Sequence, residues 1–141
     1  MRAQSRCALA VCWVILAVAC SQFDDHLSIS DVVGLYQLVS VRGNSLPVVL
    51  PLPPSPPRIT LSADTLWLRA DGTFEEHMMR AAVGPPNLLV IAGEFHFVGG
   101  TAQLTETGGT PVTGTFVGPS LTLETATDPY VYQRRCSGAD C

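Results

Sequence analysis

Glycine punctuation constrains this chain more than any other feature. From residue 31 onward, short runs of Val, Leu, Thr, Phe, Tyr and Trp stop at Asp71-Gly72, Gly84-Pro85, Gly99-Gly100, Gly108-Gly109 and Gly118-Pro119. Such pairs supply the positive φ and the tight reversals that β-hairpins need. No segment carries the three-to-four-residue apolar period of an amphipathic helix. Runs at residues 35–41, 65–69, 73–80, 88–98, 101–106, 111–117, 120–124 and 130–135, with a shorter one at 59–61, read as eight to nine strands. The expected class is all-β, an antiparallel meander.

Side chains alternate across a strand, so spacing assigns faces. Leu66 and Leu68, Phe74 and Met78, Phe95 and Phe97, Ala102 and Leu104, Val112 and Phe116, and Leu121 and Leu123 each fall on one side of their run. These faces share one interior. A meander of this many short strands must close or fold into a sandwich to bury that side and remove its edges, and closure into a small barrel is the reading favoured here. By the same parity Trp67 and Arg69 face outward. A membrane-spanning barrel needs longer strands with an apolar exterior, whereas the second face here carries Thr, Gln and Glu.

In residues 46–57, six of twelve positions are proline, which excludes a central strand and predicts a stiff loop folded over one end of the sheet. Two PxxP matches, Pro51 to Pro54 and Pro54 to Pro57, would suit a polyproline reader, but a loop is the simpler reading.

The first 19 residues are of a different kind. Arg2 and Arg6 precede an apolar run from Cys7 to Ala19, the order of a secretory signal, and the run is too short for a membrane-spanning helix. Its end, Leu16-Ala17-Val18-Ala19-Cys20, resembles the lipobox of bacterial lipoprotein signal peptides, with Ala17 where Leu is usual. That resemblance implies cleavage before Cys20 and lipid, palmitate included, on Cys20. Ser21 then suggests sorting to an outer membrane, facing the periplasm or the cell surface. The expected organisation is a signal peptide at 1–19, a lipidated tether at 20–30, a barrel at 31–135 and a cysteine tail at 136–141.

Without residues 1–19, six Arg remain against twelve Asp plus Glu, and the only basic pair is Arg134-Arg135. Nucleic acid is therefore not an expected partner. The chain has no lysine, which removes Schiff-base chemistry and a P-loop lysine. With Cys20 lipidated, Cys136 and Cys141 are the cysteines left to pair, and an oxidising envelope favours a disulfide between them. The alternative, two ligands of a metal site, has no histidine nearby.

The order Gly34-Leu35-Tyr36-Gln37-Leu38-Val39-Ser40-Val41, Gly43-Asn44-Ser45-Leu46-Pro47, Leu66-Trp67-Leu68-Arg69-Ala70-Asp71-Gly72-Thr73-Phe74 and Tyr130-Val131-Tyr132-Gln133-Arg134 resembles small lipocalin-like proteins of bacterial envelopes. The resemblance covers about residues 31–135 and implies a short calycin-type barrel. It carries over no ligand contact. The proline-rich stretch and the cysteine tail depart from it.

Candidate chemistry is sparse. Glu75 with His77 and Glu94 with His96 place carboxylates and imidazoles on one strand face, which zinc would accept if the strands paired in register. Their parity is opposite that of the phenylalanines, however, so a solvated outer face is expected and no metal or cofactor is assigned. No Gly-x-Ser-x-Gly elbow occurs. Paired-carboxylate chemistry depends on separations that the sequence leaves open. Glu76 shares the apolar parity of Phe74 and Met78, which marks it as a rim residue or a polar contact in a small cavity. The ligand-binding candidates are Glu76, Phe74, Phe95 and Phe97, with entry past the proline-rich loop and room only for a small apolar ligand. The expected function is binding rather than catalysis, by a membrane-anchored envelope protein. The alternative is an interaction or inhibitor module that works through its loops and outer surface.

Overall fold

The computed structural model describes residues 27–51 and 58–138. The elements are α1 (Ile29–Val32), β1 (Gly34–Val41), β2 (Asn44–Ser45), β3 (Val48–Pro51), β4 (Arg58–Leu68), β5 (Thr73–Ala81), β6 (Asn87–Val98), β7 (Thr101–Glu106), β8 (Val112–Val117), β9 (Ser120–Glu124) and β10 (Pro129–Ser137). Every strand pairing is antiparallel, and β1 pairs with both β10 and β4. That double pairing closes eight strands into a barrel, with β2 and β3 as additions. Closure removes the free edges that a meander would otherwise expose.

The turns form where the glycines stand. At Asp71-Gly72 the Asp71 side chain accepts from the Thr73 amide at 3.0 Å and from its hydroxyl at 2.6 Å, while Gly72 takes φ 81°. Gly93 has a different role: a Cβ there would collide with the Thr105 carbonyl oxygen and stand 2.7 Å from the Phe74 ring, so its missing side chain lets β6 and β7 close over that ring.

Inside and outside follow the expected parity. Leu66, Leu68, Phe74, Phe95, Ala102, Leu104, Phe116, Leu121 and Leu123 are buried, while Phe97, Met78 and Val112 are half-buried against them. The outer face carries Gln37, His77, Glu94, His96 and Gln103. An apolar interior with a polar exterior is the reverse of a membrane-spanning barrel.

Where the chain must bend, the ladder slips by one residue. In β4 the register to β5 shifts between Leu61 and Ala63, so the runs at 59–61 and 65–69, read separately above, are one strand with a bulge. In β1 the register shifts between Leu38 and Ser40, which returns Val41 to the interior.

The two ends of the barrel differ. Reversals at 69–72, 99–100 and 118–119 mark one end, and α1 lies across it. Ser28 and Asp31 cap that helix reciprocally, Val32 and Val33 are buried, and the buried Tyr36 hydroxyl donates to the Val32 carbonyl at 2.7 Å. The other end carries the turns at 82–86, 107–111 and 125–128.

The proline-rich stretch differs from the expected loop. Val48–Pro51 pairs with Arg58–Leu61, in register Val48 to Leu61 and Pro51 to Arg58. β1 and β4 pair only between Gly34–Gln37 and Thr65–Leu68 and splay apart beyond, where β2 continues one lip of the seam and β3 the other. Leu46, Val48 and Leu50 pack on the core from this seam. Only an edge strand tolerates the missing proline donors. Residues 52–57 lie outside the described residues.

Candidate ligand cavity

The half of the barrel next to α1 is filled. Tyr36, Phe97 and Phe116 pack there, with ring centroids 6.0 Å apart for Tyr36–Phe116 and 5.5 Å for the edge-on Phe97–Phe116 pair. The other half holds a cavity of about 230 Å³. Phe74, Met78, Ile91, Leu104, Val112 and Leu123 supply its apolar wall, with Glu106, Thr110 and Thr125 toward the open end. Its polar floor is made by Glu76 and Tyr132, with Tyr130 beside them.

Behind that floor lies Asp64, which is fully buried. The Tyr132 hydroxyl stands 2.7 Å from Asp64 Oδ2 and 2.9 Å from Glu76 Oε1, so one phenol oxygen joins two acids from different strands. A phenol has one proton to give. If both acids were ionised, only one would receive it; a carboxyl proton within the cluster resolves the conflict. Burial pushes the Asp64 carboxyl up to about 8, and the neighbouring Glu76 charge adds to the shift. The Tyr132 hydroxyl is raised as well, first by burial and then by the two carboxyls. Among the described residues Asp64 Oδ1 has no hydrogen-bond partner, while the Tyr132 hydroxyl and the Thr65 backbone amide act on the carboxyl to lower it against the effect of burial.

Local sequence explains the placement. Asp64 shares the inward period of Leu66 and Leu68, and the bulge at Ser62 lets Leu61, three residues earlier, point inward too. Glu76 faces Leu66 across β4–β5 and Ile91 across β5–β6. Tyr132 sits between Leu38 and Leu121, at mid-height in the wall.

Glu76 and Phe74 meet at the cavity, but Glu76 belongs to the floor and not to the rim. Phe95 and Phe97, expected beside the ligand, do not line this cavity: Phe95 is 1% exposed in the packed core, Phe97 packs edge-on against Phe116, and both border a separate, more open groove of about 510 Å³ beside Ile29 of α1. Met79 falls on the outward parity, opposite Ala63 and Leu88. The cavity wall toward the open end comes from Glu106, Thr110 and Thr125, beside the β7–β8 and β9–β10 turns, and none of residues 46–51 lines it. Asp64, Tyr130 and Tyr132 were not singled out from the sequence. For Asp64 the available signal was its parity with Leu66.

Other expected groups sit elsewhere. Glu75 accepts from Arg69 at 3.0 Å and pairs with His77 at 2.5 Å on the outer face, where Arg69 also lies 4.7 Å over the Trp67 ring. The Arg69 and His77 contacts hold the Glu75 carboxyl below its usual range. Across β5–β6, Glu75 faces Ala92 and His77 faces Val90, while Glu94 faces Thr73, so these four potential ligands do not converge. Arg42, at φ 53°, forms an ion pair with the buried Asp128. Cys136, a residue of β10, is disulfide-bonded; Cys141 and Cys20 lie outside the described residues.

No protein-family model matches the chain, and no curated protein matches it. Among solved structures it is similar to the Cpx pathway activator NlpE from Escherichia coli, at 20% identity and a TM-score of 0.41. The match covers 55% of this chain and 40% of that one, so the chain spans well under half of the protein it matches.

Proposed function

We propose that this protein is a lipid-anchored envelope protein, of the lipocalin-like kind that its sequence resembles, whose barrel binds a small and largely apolar ligand without transforming it. One observation carries the binding half: the interior is packed at the end covered by α1 and hollow at the other, with a polar cluster set in an apolar wall. That is the usual build of a small-molecule site. The anchoring half rests on the run that ends at Cys20 and on its resemblance to a lipobox.

The cavity limits the ligand. A dry cavity of about 150 Å³ holds one benzene ring, so 230 Å³ suits a compact body of one ring or two fused rings, or a short branched chain. A long acyl chain is too large. Catalysis by the two acids is disfavoured because Asp64 is completely buried behind Tyr132 and cannot flank a substrate bond opposite Glu76.

A second reading, docking of a protein on the outer wall, draws on Leu88 and Val90 of β6, which are about half exposed. Calorimetric titration of the purified protein with indole and with a fluorescent long-chain fatty acid separates the possibilities. Saturable indole binding with no fatty-acid binding is the expected result. Fatty-acid binding at micromolar concentration overturns the size limit, and binding of neither probe overturns the ligand-binding reading.

A further inference from the structure

The cavity is one-sided in its chemistry. Its lining contains two carboxylates, Glu76 and Glu106, and no basic side chain. Two arginines stand at this end of the barrel outside that lining: Arg42, already committed to Asp128, and Arg80, on the inward face of β5 opposite the buried Leu61. Behind the lining, Asp64 adds a third acid with a fully buried oxygen that nothing in the described residues donates to. The phenol of Tyr132 is shared between two acceptors. The floor is therefore rich in acceptors and short of donors and of positive charge.

An anionic ligand would bring a further negative charge beside Glu76 and Glu106 in a largely apolar pocket, where like charges repel. A neutral apolar ligand would leave the shortage as it is. An ammonium group offers three donors and one positive charge on a compact head. We infer that the occupant is a small amine on a compact apolar body, its ammonium seated on Glu76 above the Tyr132–Asp64 pair and its apolar part against Met78, Ile91 and Leu123. This rests on the cavity being a ligand site, as proposed above.

The geometry adds a consequence for protons. The titratable groups that face the ammonium are Glu76 from β5, Asp64 from β4, Tyr130 and Tyr132 from β10 and Glu106 from β7, with Arg80 of β5 and the Arg42–Asp128 pair beyond them at the same end. A positive charge beside them favours the ionised carboxyls, so part of the proton that the acids share leaves as the amine enters. Binding releases protons. Affinity for the amine therefore rises with pH between about 5 and 8, provided that the amine stays protonated.

The test uses three probes of one size, benzylamine, benzyl alcohol and benzoate, titrated calorimetrically at pH 7 in two buffers of different ionisation heat. Benzylamine should bind roughly ten- to hundredfold more tightly than benzyl alcohol, the range expected for a hydrogen bond to a charged group. Benzoate should not bind. A fraction of a proton should be released per benzylamine and none per benzyl alcohol. Glu76→Gln should remove the preference for benzylamine over benzyl alcohol. Asp64→Asn should keep the preference and stop the proton release.

Equal affinity for benzylamine and benzyl alcohol overturns the amine inference and leaves the ligand-binding reading standing. Benzoate as the tightest probe, or proton uptake with benzylamine, also overturns the inference. Binding of none of the three overturns both. If Glu76→Gln does not fold, the wild-type affinities and proton counts decide the matter alone.

Discussion

The buried acid cluster ties the stability of the barrel to pH in an unusual direction. Asp64 has an ordinary value of 3.8 and is raised to about 8 in the fold, so between those limits the native state holds a proton that the unfolded chain has lost. The contribution of this carboxyl to stability is fully present below about pH 4, falls as pH rises through the window, and is gone above about pH 8. One extra proton in the native state changes the folding constant about tenfold per pH unit, so the full window is worth at most roughly 6 kcal/mol. Most globular domains carry less than 15 kcal/mol in total. The perturbation is Asp64→Asn, which keeps the shape and an acceptor for Tyr132 but cannot lose a proton. Urea unfolding followed by Trp67 fluorescence, from pH 4.5 to 8.5, gives the two curves. Wild type should lose stability across this range, and the variant should show a much shallower slope and be the more stable protein at pH 8.5. Acids whose carboxyls are lowered by their contacts, Asp31 by Ser28, Asp71 by Thr73 and Glu75 by Arg69, act at the acid end and cancel in the comparison. Parallel curves would refute the assignment of a proton to this cluster.

Phe95→Ala, in the packed half of the barrel, should cost about 3 to 5 kcal/mol in the same urea assay; a loss under about 1 kcal/mol would mean that the β6 register is wrong. Gly93→Ala should cost about 1 to 3 kcal/mol by overpacking against the Thr105 carbonyl and the Phe74 ring. Thermal unfolding checks it, and an unchanged midpoint would count against that close approach. Cys20→Ser should abolish metabolic labelling with a palmitate analogue, and equal labelling of both proteins would remove the lipid anchor.

Much of the fold was legible because hairpin chemistry is local. Asp71-Gly72 and Gly99-Gly100 mark reversals without reference to the rest of the chain, and period-two spacing set Phe74, Leu104, Phe116 and Leu121 inside. What stayed hidden depends on partners far along the chain. The bulge that joins 59–61 to 65–69 is a property of the β4–β5 ladder and leaves no turn residue to mark it. The seam filled by β3 exists only because β1 and β4 diverge after four paired residues. Composition made residues 46–57 look like a loop, yet Val48 and Leu50 find a strand edge that proline at Pro51 does not spoil.

The site was less legible than the fold. Glu76 could be found because it breaks an apolar face. Asp64 breaks a face as well, but only once the bulge fixes its register. Tyr132 looks like any strand aromatic until its hydroxyl is seen between acids separated by 68 and 56 residues from it in sequence. The size of a cavity is the remainder left after side chains pack, and no local pattern encodes a remainder.

The most direct test of the central claim is a methyl NMR titration of the protein with indole. Shifts should be confined to Met78, Ile91, Leu104, Val112 and Leu123, which line the cavity. Exposed outer methyls such as Leu88, Val90 and Val117 should stay still. Shifts on that outer set, or none at saturating indole, would contradict a ligand site inside the barrel.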